Sequence, residues 1–559
     1  MYTVIFKLTN GEDVTVFAAC NENLLKLALK ENIYIDAPCS GNGTCGKCLV
    51  RIENQSHLDP LTVLACQTAI TNDMIVHVLD TAHSYITNIT TEIISNKTNF
   101  TLHPEQSIYG CHSESVEESF PVCNPDQSIY GLAIDIGTTT VSAMLVDISA
   151  GEPLVKATTG NAQIRYGADV INRIIEQQKP GGIKKLQDAI IKDTLLPLID
   201  NLCATAGIPC EKITQLTVAA NTTMNHLLLG IDAGSIRLEP YEPAFLEFPP
   251  YDPASIGINA APDAKLILAP NIGSYVGGDI TAGISVVAPL NNTLFIDLGT
   301  NGEIVFGNNE FMMACACSAG PAFEGGDISC GMRATTGAIE KIKINNETLE
   351  PEFTVIGNTK PAGICGTGLI DLISELFRTK QINKKGKLCH SELVEESFPV
   401  YNRIQFDEYG SGSYTIIFAK DSATGKDITI TETDIDNFIR AKAAIFSGII
   451  SLLEPLGLTP ADIDDVLIAG GIGSAINIKN AISIGMLPDL PEEKYSNIGN
   501  ASLNGAYAML TIPQGDEIIN EIAGNMTYIN LSTQPDYMNA FIAACFLPHT
   551  DETLFPSLN

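Results

Sequence analysis

The chain is poor in basic residues. Its 559 residues include 32 lysines and arginines against 65 aspartates and glutamates, which gives a formal net charge of −33 and a pI near 4.5. Phosphate backbones and anionic membranes are both negatively charged, so a protein this acidic is repelled by them. We therefore expect no nucleic-acid partner and no membrane partner.

Long apolar runs are missing as well. No stretch reaches 18 uninterrupted apolar residues, and the nearest candidate, residues 443–458, is interrupted by Glu454. The first residues, MYTVIFKLTNGEDV, do not combine a basic region with an apolar run, as a secretory signal does. The 15 cysteines then favour reduced thiols or metal ligands in a cytoplasmic protein over a disulfide framework.

The composition is that of a folded chain with several domains. Apolar residues make up 45% and charged residues 17%, and the length suggests three or four domains. Short alternating segments over residues 1–80, beginning with a hairpin at 2–19, predict a small β-rich domain. Residues 81–130 are rich in Thr, Asn and Ser without a clear period, which predicts a linker.

Two nearly identical peptides interrupt the chain. CHSESVEESFPVCN at 111–124 recurs as CHSELVEESFPVYN at 389–402. Structural repeats recur at a fixed period, which these two copies do not. We interpret them as recent insertions tolerated in surface loops, and their cysteines are assigned no role. A functional peptide motif is the alternative.

Residues 131–290 and 291–559 are predicted to be two related α/β halves. Each begins with two apolar strands joined by a glycine-containing turn, GLAIDIGTTTVSAMLVDI in the first half and LFIDLGTNGEIVFG in the second. An aspartate, Asp135 or Asp297, ends the first strand of each pair. Apolar periodicity predicts helices at 163–178, 183–205, 432–455 and 477–484.

Four cysteines near the N-terminus are spaced for metal ligation. Cys39, Cys45 and Cys48 belong to a glycine-rich loop, and 17 residues separate Cys48 from Cys66. Thiolates on a tight loop can bind iron, and the glycines let backbone amides turn toward sulfides. A zinc site is one alternative, although zinc favours paired Cys-x2-Cys units and this segment has one pair. Four unligated cysteines are the other.

The acidic turns are suited to bind phosphate. A glycine at the tip of a strand–turn–strand exposes backbone N–H groups to phosphate oxygens, and an aspartate at the strand end can hold Mg²⁺ directly or through water. A further glycine turn after a buried strand leaves room for a flat base. The alternative is an α/β protein whose glycine turns bind no nucleotide. The candidate residues are Asp135, Gly137, Thr138 and Thr139 in the first turn, Asp297, Gly299, Thr300 and Asn301 in the second, and Gly470 and Gly471 in the third.

The N-terminal segment resembles the 2Fe–2S ferredoxin family. APCSGNGTCGKCLV followed by LACQT carries the likeness, and the five-residue first gap is similar to that of adrenodoxin and putidaredoxin. The resemblance implies a β-grasp fold over residues 1–80. It also implies a 2Fe–2S cluster whose ligands are Cys39, Cys45, Cys48 and Cys66.

The two halves resemble the acetate and sugar kinase/Hsc70/actin superfamily, whose members clamp ATP between two RNase-H-like halves. The likeness implies that the first two turns are phosphate loops and that Gly470 and Gly471 line the adenosine site. It further suggests that residues 363–368, GICGTG, form another loop near the nucleotide.

The combination resembles the reductive activators of corrinoid proteins, and NAQIRYGADVINRI, ANTTMNHLLLG and CSAGPAFEGGDISCGMRATTGAIE extend the likeness. It implies an ATP-hydrolysing reductase that passes an electron from its 2Fe–2S cluster to Co(II) of a corrinoid protein, either a corrinoid iron–sulfur protein or the corrinoid subunit of a methyltransferase. Asp135 and Asp297 would organise Mg²⁺ and the attacking water, with Glu303 as a further neighbour. An upstream low-potential electron donor is implied, and a homodimer is left open.

Three other functions remain open at this point. One is an activator of another low-potential enzyme, such as a 2-hydroxyacyl-CoA dehydratase or a benzoyl-CoA reductase. The others are a small-molecule kinase with a fused redox sensor and an ATP-responsive scaffold. Cys315 and Cys317 are interpreted as packed thiols, and His226 as a core histidine. Asn221 and the CSAGPAFEGG run are assigned no mechanism.

Overall fold

The computed structural model describes two compact units of the chain. One unit contains residues 1–286 and 502–524, and the other contains residues 287–501 and 525–559. The predicted fold class, a β-grasp domain followed by two RNase-H-like halves, is confirmed by the sheets below. The described residues are 1–8, 13–31, 33, 35, 37, 41, 48–54, 61–78, 89–94, 128–287, 291–299, 301–389, 403–471 and 473–558.

The N-terminal sheet of the first unit has five strands in the order β2-β1-β5-β3-β4. Its first two strands form the predicted antiparallel hairpin, in which Tyr2 pairs with Ala18; the turn at 9–12 lies outside the described residues. Helix α1 (Leu24–Lys30) begins after the cap Asn23 and packs its leucines on the sheet. The strands are β1 (Tyr2–Lys7), β2 (Asp13–Ala18), β3 (Leu49–Asn54), β4 (Leu61–Leu64) and β5 (Met74–Val78).

A second sheet of the first unit has the order β11-β10-β7-β8-β9-β6. The three strands β7, β8 and β9 form an antiparallel meander, and β10 and β11 extend it in parallel on the other side of β7. This is the topology of an RNase-H-like half. The strands are β6 (Thr90–Ile93), β7 (Tyr130–Ile136), β8 (Thr140–Asp147), β9 (Glu152–Gly160), β10 (Ile213–Ala220) and β11 (Lys265–Leu268).

Helices cover the second sheet, and two of them come from far along the chain. Thr217 Oγ1 in β10 donates to the carbonyl of Ala506 at 2.7 Å, and Tyr507 OH donates to the carbonyl of Gly151 at 2.7 Å. Residues 502–524 therefore belong to the first unit. The helices of this unit's second sheet are α2 (Val170–Gln177), α3 (Gly182–Ile190), α4 (Leu196–Ala206), α5 (Thr222–Leu229), α6 (Gly234–Arg237), α7 (Gly278–Ser285), α11 (Ala501–Thr511) and α12 (Gly515–Gly524).

The second unit repeats the same topology. Its main sheet has the order β22-β21-β12-β13-β14-β23, with an antiparallel meander β12-β13-β14 and parallel strands beside β12. The strands of this sheet are β12 (Thr293–Leu298), β13 (Gly302–Gly307), β14 (Met312–Cys317), β21 (Asp465–Ala469), β22 (Tyr495–Gly499) and β23 (Met526–Tyr528).

The described residues of the second unit also form two three-stranded sheets and four α-helices. One sheet has the order β16-β15-β17 and the other the order β18-β19-β20. Their strands are β15 (Ala338–Ile344), β16 (Pro351–Val355), β17 (Gly363–Ile364), β18 (Ile404–Phe406), β19 (Gly412–Ile417) and β20 (Ile428–Thr431). The helices are α8 (Gly366–Arg378), α9 (Glu432–Leu453), α10 (Ile478–Ser483) and α13 (Tyr537–Ala544). Among the described residues, no helix has the length and apolarity needed to cross a bilayer.

Two of the predicted helices are interrupted. The segment 163–178 contains most of a 3-10 helix, Ala162–Arg165, and then α2. Gly167 lies between them, where an added Cβ would lie 2.8 Å from the Arg173 backbone nitrogen. Asp169 then caps α2 by accepting from the Asn172 N–H. The segment 183–205 contains a π-helical turn, Ile191–Leu195, between α3 and α4.

Part of the segment predicted to be a linker forms a strand. Residues 90–93 form β6, in which Ile93 pairs with Val155 at the edge of the second sheet. The first copied peptide, 111–124, lies outside the described residues, as does all of the second copy except Cys389.

Candidate functional site

Two of the four predicted cluster ligands lie together beside the β3–β4 pair. Cys48 immediately precedes β3 and is 1% exposed, and Cys66 lies in the short 3-10 helix Ala65–Gln67 that follows β4. Leu49 pairs with Leu64 in the antiparallel β3–β4 ladder, so the start of β3 lies beside the end of β4. Cys48 and Cys66, which flank these two positions, are therefore close together. Cys39 and Cys45 lie outside the described residues.

The contacts around these two cysteines fit an iron–sulfur ligand set. The backbone N–H of Cys66 donates to Cys48 Sγ at 3.4 Å, and the N–H of Ala65 donates to the Cys48 carbonyl at 2.7 Å. Asn23 Nδ2 fixes Cys66 from the other side by donating to its carbonyl at 2.8 Å. Such N–H···S contacts stabilise the negative charge of an iron-bound sulfur.

The first glycine–threonine turn joins β7 to β8. Asp135 is half-buried near the end of β7, opposite Ser142 in the antiparallel ladder, and the N–H of Gly137 donates to the carbonyl of Thr140 at 2.9 Å to close the turn. Gly137 is required here, because an added Cβ would lie 2.7 Å from that carbonyl oxygen.

Three polar residues that the sequence reasoning left without a role bind this turn. Asn161 Nδ2 donates to the carbonyl of Gly137 at 2.9 Å, and an Arg173 guanidinium nitrogen donates to the carbonyl of Thr138. Asn221 Nδ2 donates to Thr138 Oγ1 at 3.1 Å. In the sequence, all three lie in stretches that carry the family likeness, NAQIRYGADVINRI and ANTTMNHLLLG, but nothing there assigns them a contact.

The second turn joins β12 to β13 and carries a second carboxylate. Gly299 donates its N–H to the carbonyl of Asn301 at 3.1 Å; Thr300 lies outside the described residues. Asp297 is half-buried and pairs directly with Glu303, which is 8% exposed. Opposite residues of an antiparallel pair point to the same face, so these two carboxylates share one face of the sheet.

The third glycine turn lies beside Asp297. Asp297 pairs with Ala469 in the parallel β12–β21 ladder, and Gly470 follows with φ +89°. An added Cβ at Gly470 would lie 2.6 Å from Asp297 Oδ1, so only glycine permits this approach. Gly471 is exposed, with nothing near the position of an added Cβ. The structure thus brings Asp297 together with Gly470 and the adjacent Gly471.

The two units use equivalent positions differently. Asp135 pairs with Ala219 in the β7–β10 ladder just as Asp297 pairs with Ala469. Two residues further on, the first unit has Asn221 and the second has Gly471. In the first unit, the Asn221 amide therefore contacts Thr138 of the first glycine–threonine turn. In the second unit, Gly471 leaves open space at the matching position.

The GICGTG segment has a packing role. An added Cβ at Gly366 would lie 1.9 Å from the Phe323 carbonyl oxygen, and one at Gly368 would lie 2.4 Å from the Ile339 carbonyl oxygen. These glycines let the first turn of α8 lie against backbone. The CSAGPAFEGG run supplies the Phe323 backbone and β15 supplies the Ile339 backbone. The Phe323 ring packs edge-on against Phe438 at a centroid distance of 5.5 Å.

The remaining candidates are also packed. Cys315 and Cys317 are buried in the core of the second unit, and Cys317 Sγ contacts the Gly302 carbonyl at 3.1 Å. Burial raises the pKa of both thiols. His226 is fully buried between the Thr222 carbonyl and the Ala244 N–H, and burial lowers the pKa of its imidazole. These residues have the packing roles that the sequence predicts for them.

Models of three protein families match successive parts of the chain. The 2Fe-2S iron-sulfur cluster binding domain matches residues 8–71, and the RACo middle region matches residues 130–290. The C-terminal domain of RACo, described as the ASKHA domain, matches residues 291–559.

Individual relatives match about three quarters of the chain or more. A corrinoid activation enzyme, RamQ, from Eubacterium limosum is 30% identical over 591 residues, covering 96% of this chain and 98% of that protein. A Co(II) methylated amine-specific corrinoid protein reductase from Methanosarcina barkeri is 23% identical over 74% of this chain and 76% of its own. A solved structure of a reductive activator for corrinoid, iron-sulfur protein is 36% identical, covers all of both chains and superposes with a TM-score of 0.69.

Proposed function

This chain belongs to the family of reductive activators of corrinoid proteins, and we propose that it couples ATP hydrolysis to a one-electron reduction of Co(II) to Co(I) in such a protein. The electron comes from the chain's own 2Fe–2S cluster, which an upstream low-potential donor then reduces again. ATP and water become ADP and phosphate. The end-to-end match to a corrinoid activation enzyme carries this proposal, because it includes the cluster domain and both ATPase halves.

We assign the cluster to Cys39, Cys45, Cys48 and Cys66. When bound, the cluster supplies one electron at a potential that is typically about −400 mV in ferredoxins of the plant type. The buried Cys48 sulfur excludes water from its side of the site, and the Cys66 N–H stabilises the charge on that sulfur. Asn23 holds the Cys66 backbone in place.

We assign the nucleotide to the glycine turns. In the first unit, the residues of the Gly137–Thr139 turn bind phosphate oxygens, with Asp135 at its base. In the second unit, Gly299, Thr300 and Asn301 do the same, and Gly470 and Gly471 leave room for the adenosine. Asp297 holds Mg²⁺, directly or through water, and Glu303 supports it from the neighbouring strand.

Coupling is needed because Co(II) of a corrinoid is harder to reduce than a ferredoxin-type cluster. Electron transfer from the cluster to Co(II) is therefore uphill and requires a second source of free energy. ATP binding and hydrolysis can supply it through a conformational change that the bound corrinoid protein senses.

The test is a reconstituted reduction under anaerobic conditions. With a strong reductant, Mg-ATP and a Co(II) corrinoid protein, the full chain should produce Co(I), measured from the corrinoid absorption spectrum. Omitting ATP, or replacing Cys48 with Ser, should leave the cobalt as Co(II). Several corrinoid proteins are compared, because docking can be selective. Reduction of none of them, together with ATP-dependent reduction of another low-potential acceptor, would contradict the proposal.

A further inference from the structure

We propose that Arg173 is a positioning residue for nucleotide binding, which holds the first glycine–threonine turn from its inner side. This inference rests on the proposed nucleotide-binding function and extends it to a residue that does not itself contact the nucleotide. The guanidinium fixes the Thr138 carbonyl at the tip of the turn, so that the phosphate-binding side of the turn is set before ATP arrives.

Hydrogen bonds from all three guanidinium nitrogens hold the Arg173 side chain in place. Its side chain is fully buried on α2, where Nε donates to the Gly167 carbonyl at 2.9 Å and Nη1 donates to Gln163 Oε1 at 3.1 Å. The other terminal nitrogen donates to the Thr138 carbonyl at the tip of the turn. A planar fork with several donors can make these contacts at once, whereas a lysine ammonium on a flexible stem cannot reproduce them.

Asn161 completes the inner side of the turn. It is fully buried, its backbone N–H donates to the Thr139 carbonyl at 2.8 Å, and its Nδ2 donates to the Gly137 carbonyl at 2.9 Å. Together with Arg173, it binds the carbonyls of all three turn residues. The C=O and N–H of one trans peptide unit are held in one plane, so these contacts also fix the orientation of the peptide units that carry the following N–H groups.

The positive charge of Arg173 favours phosphate binding at the turn, as its hydrogen bonds do. The guanidinium stays protonated in proteins, and charges in a buried environment interact more strongly than in water. A positive charge on the inner side of the turn favours an anion on its outer side. We therefore expect the contribution of Arg173 to depend on the phosphates of the nucleotide and not on its adenosine.

The experiment compares Arg173→Gln and Arg173→Lys with Gln177→Met in the full-length protein. Gln177 is a matched control, because it lies one turn further along α2, is 2% exposed, and binds backbone at Ile231 and Ala233 instead of the turn. Affinities for ATP, ADP and adenosine are measured by competition with a fluorescent ATP analogue, and thermal unfolding is recorded in parallel. The visible spectrum of the cluster reports whether the N-terminal domain is intact.

We expect Arg173→Gln to weaken ATP and ADP binding about tenfold or more, with little change for adenosine. Arg173→Lys should be intermediate, and Gln177→Met should bind all three ligands as the wild type does even if its unfolding temperature falls. Equal affinity for ATP in Arg173→Gln and Gln177→Met, or an equal loss of ATP and adenosine binding in a folded variant, would overturn the inference.

Arg173→Lys keeps the inference testable if Arg173→Gln does not fold. A folded lysine variant with wild-type affinity for ATP would also overturn the role of the guanidinium. The wild-type arm tests the proposed function separately: failure of the wild type to bind any nucleotide would refute the ATP assignment itself and this inference with it.

Discussion

Glu303 lies directly opposite Asp297 in the β12–β13 ladder, and its side chain is 8% exposed. The equivalent partner of Asp135 in the first unit is Ser142, whose hydroxyl lies 3.0 Å from Thr158 Oγ1. Two like charges directly across a strand pair repel unless a cation or a proton lies near them. Of these two ladder positions, only the one in the second unit pairs two carboxylates, and this pair is the basis for proposing a divalent cation there.

This asymmetry predicts different effects at Asp297 and Glu303. Asp297→Ala should lower ATP turnover by about 100-fold while weakening ATP binding much less, because its proposed role concerns the metal and the attacking water. Glu303→Gln should raise the Mg²⁺ concentration needed for half-maximal turnover. Turnover is measured by phosphate release across a Mg²⁺ titration.

Asp371→Asn is the control for these variants. Asp371 is a buried carboxylate of the same unit that accepts the Ile342 N–H at 3.2 Å, and burial raises its pKa. Its replacement should lower stability without changing the Mg²⁺ dependence. Normal ATP turnover in Asp297→Ala would show that the assignment of this aspartate is wrong.

The cluster assignment predicts about two irons and two sulfides per chain in anaerobically purified protein. Cys39→Ser, Cys45→Ser, Cys48→Ser and Cys66→Ser should each lower the iron content and alter the visible spectrum. Cys389→Ser is the control, because this cysteine lies in a copied peptide, and it should retain full iron. Unchanged iron content in all four ligand variants would eliminate the proposed site.

Asn221 has two functions that substitution can separate. Its Oδ1 accepts the Met224 N–H at 2.9 Å and caps α5, while its Nδ2 donates to Thr138 Oγ1 at 3.1 Å. Asn221→Asp keeps a good cap but places a negative charge beside the phosphate turn, so it should remain folded and bind ATP less tightly. Asn221→Ala should in addition lose about 1 kcal/mol of stability from the missing cap. Equal ATP affinity in Asn221→Asp and the wild type would contradict the role of Nδ2.

Short-range patterns of the sequence predict the parts of the site that depend on local geometry. The close spacing of Cys39, Cys45 and Cys48, the aspartates at the strand ends and Gly470 are local features, since each belongs to one loop or turn. The contacts of Arg173 and Asn161 with the first turn join residues more than 20 positions apart, and no periodicity reports them. The same reason hides strand β6 in a polar segment and the packing of residues 502–524 on the first unit.

The second copied peptide lies between two well-anchored residues. Before it, Leu388 is 5% exposed and donates its N–H to Glu432 Oε1 at 2.9 Å. After it, Arg403 is 8% exposed and donates to the carbonyls of Thr415 and Ile416, both at 2.9 Å. An insertion between fixed ends adds mainly loop entropy, which grows slowly with length.

Replacing residues 390–402 with a short Gly-Ser linker should therefore change the free energy of unfolding by less than about 1 kcal/mol and leave ATP turnover intact. Arg403→Ala is the contrasting variant, because it removes the anchor itself and should cost about 1–3 kcal/mol. Denaturant unfolding measures both. Loss of folding or of ATP turnover in the linker variant would show that the peptide is a working element and not an insertion.

The buried Lys442 should make the free energy of unfolding depend on pH. Its side chain is fully buried in α9, and Nζ donates to the carbonyls of Phe546 and Pro548 at 2.5 and 2.7 Å. Burial lowers the pKa of this amine to about 7, and the nearby Cys545 thiol opposes the shift. An exposed lysine in the unfolded chain has a pKa of about 10.4.

Between these two values the unfolded chain binds more protons than the folded chain, so the contribution of Lys442 to stability rises with pH from about 7 to about 10. Its largest slope is about 1.4 kcal/mol per pH unit. Lys442→Met keeps a long apolar side chain without a titrating group and should remove this rise. Denaturant unfolding at pH 7, 8 and 9 measures the difference, and the nearby His549, whose pKa burial lowers, stays neutral throughout this range. If the free energy of unfolding changes with pH in the same way in the wild type and in Lys442→Met from pH 7 to 9, the prediction is wrong. Lys442 would then have the same pKa in the folded and unfolded chains.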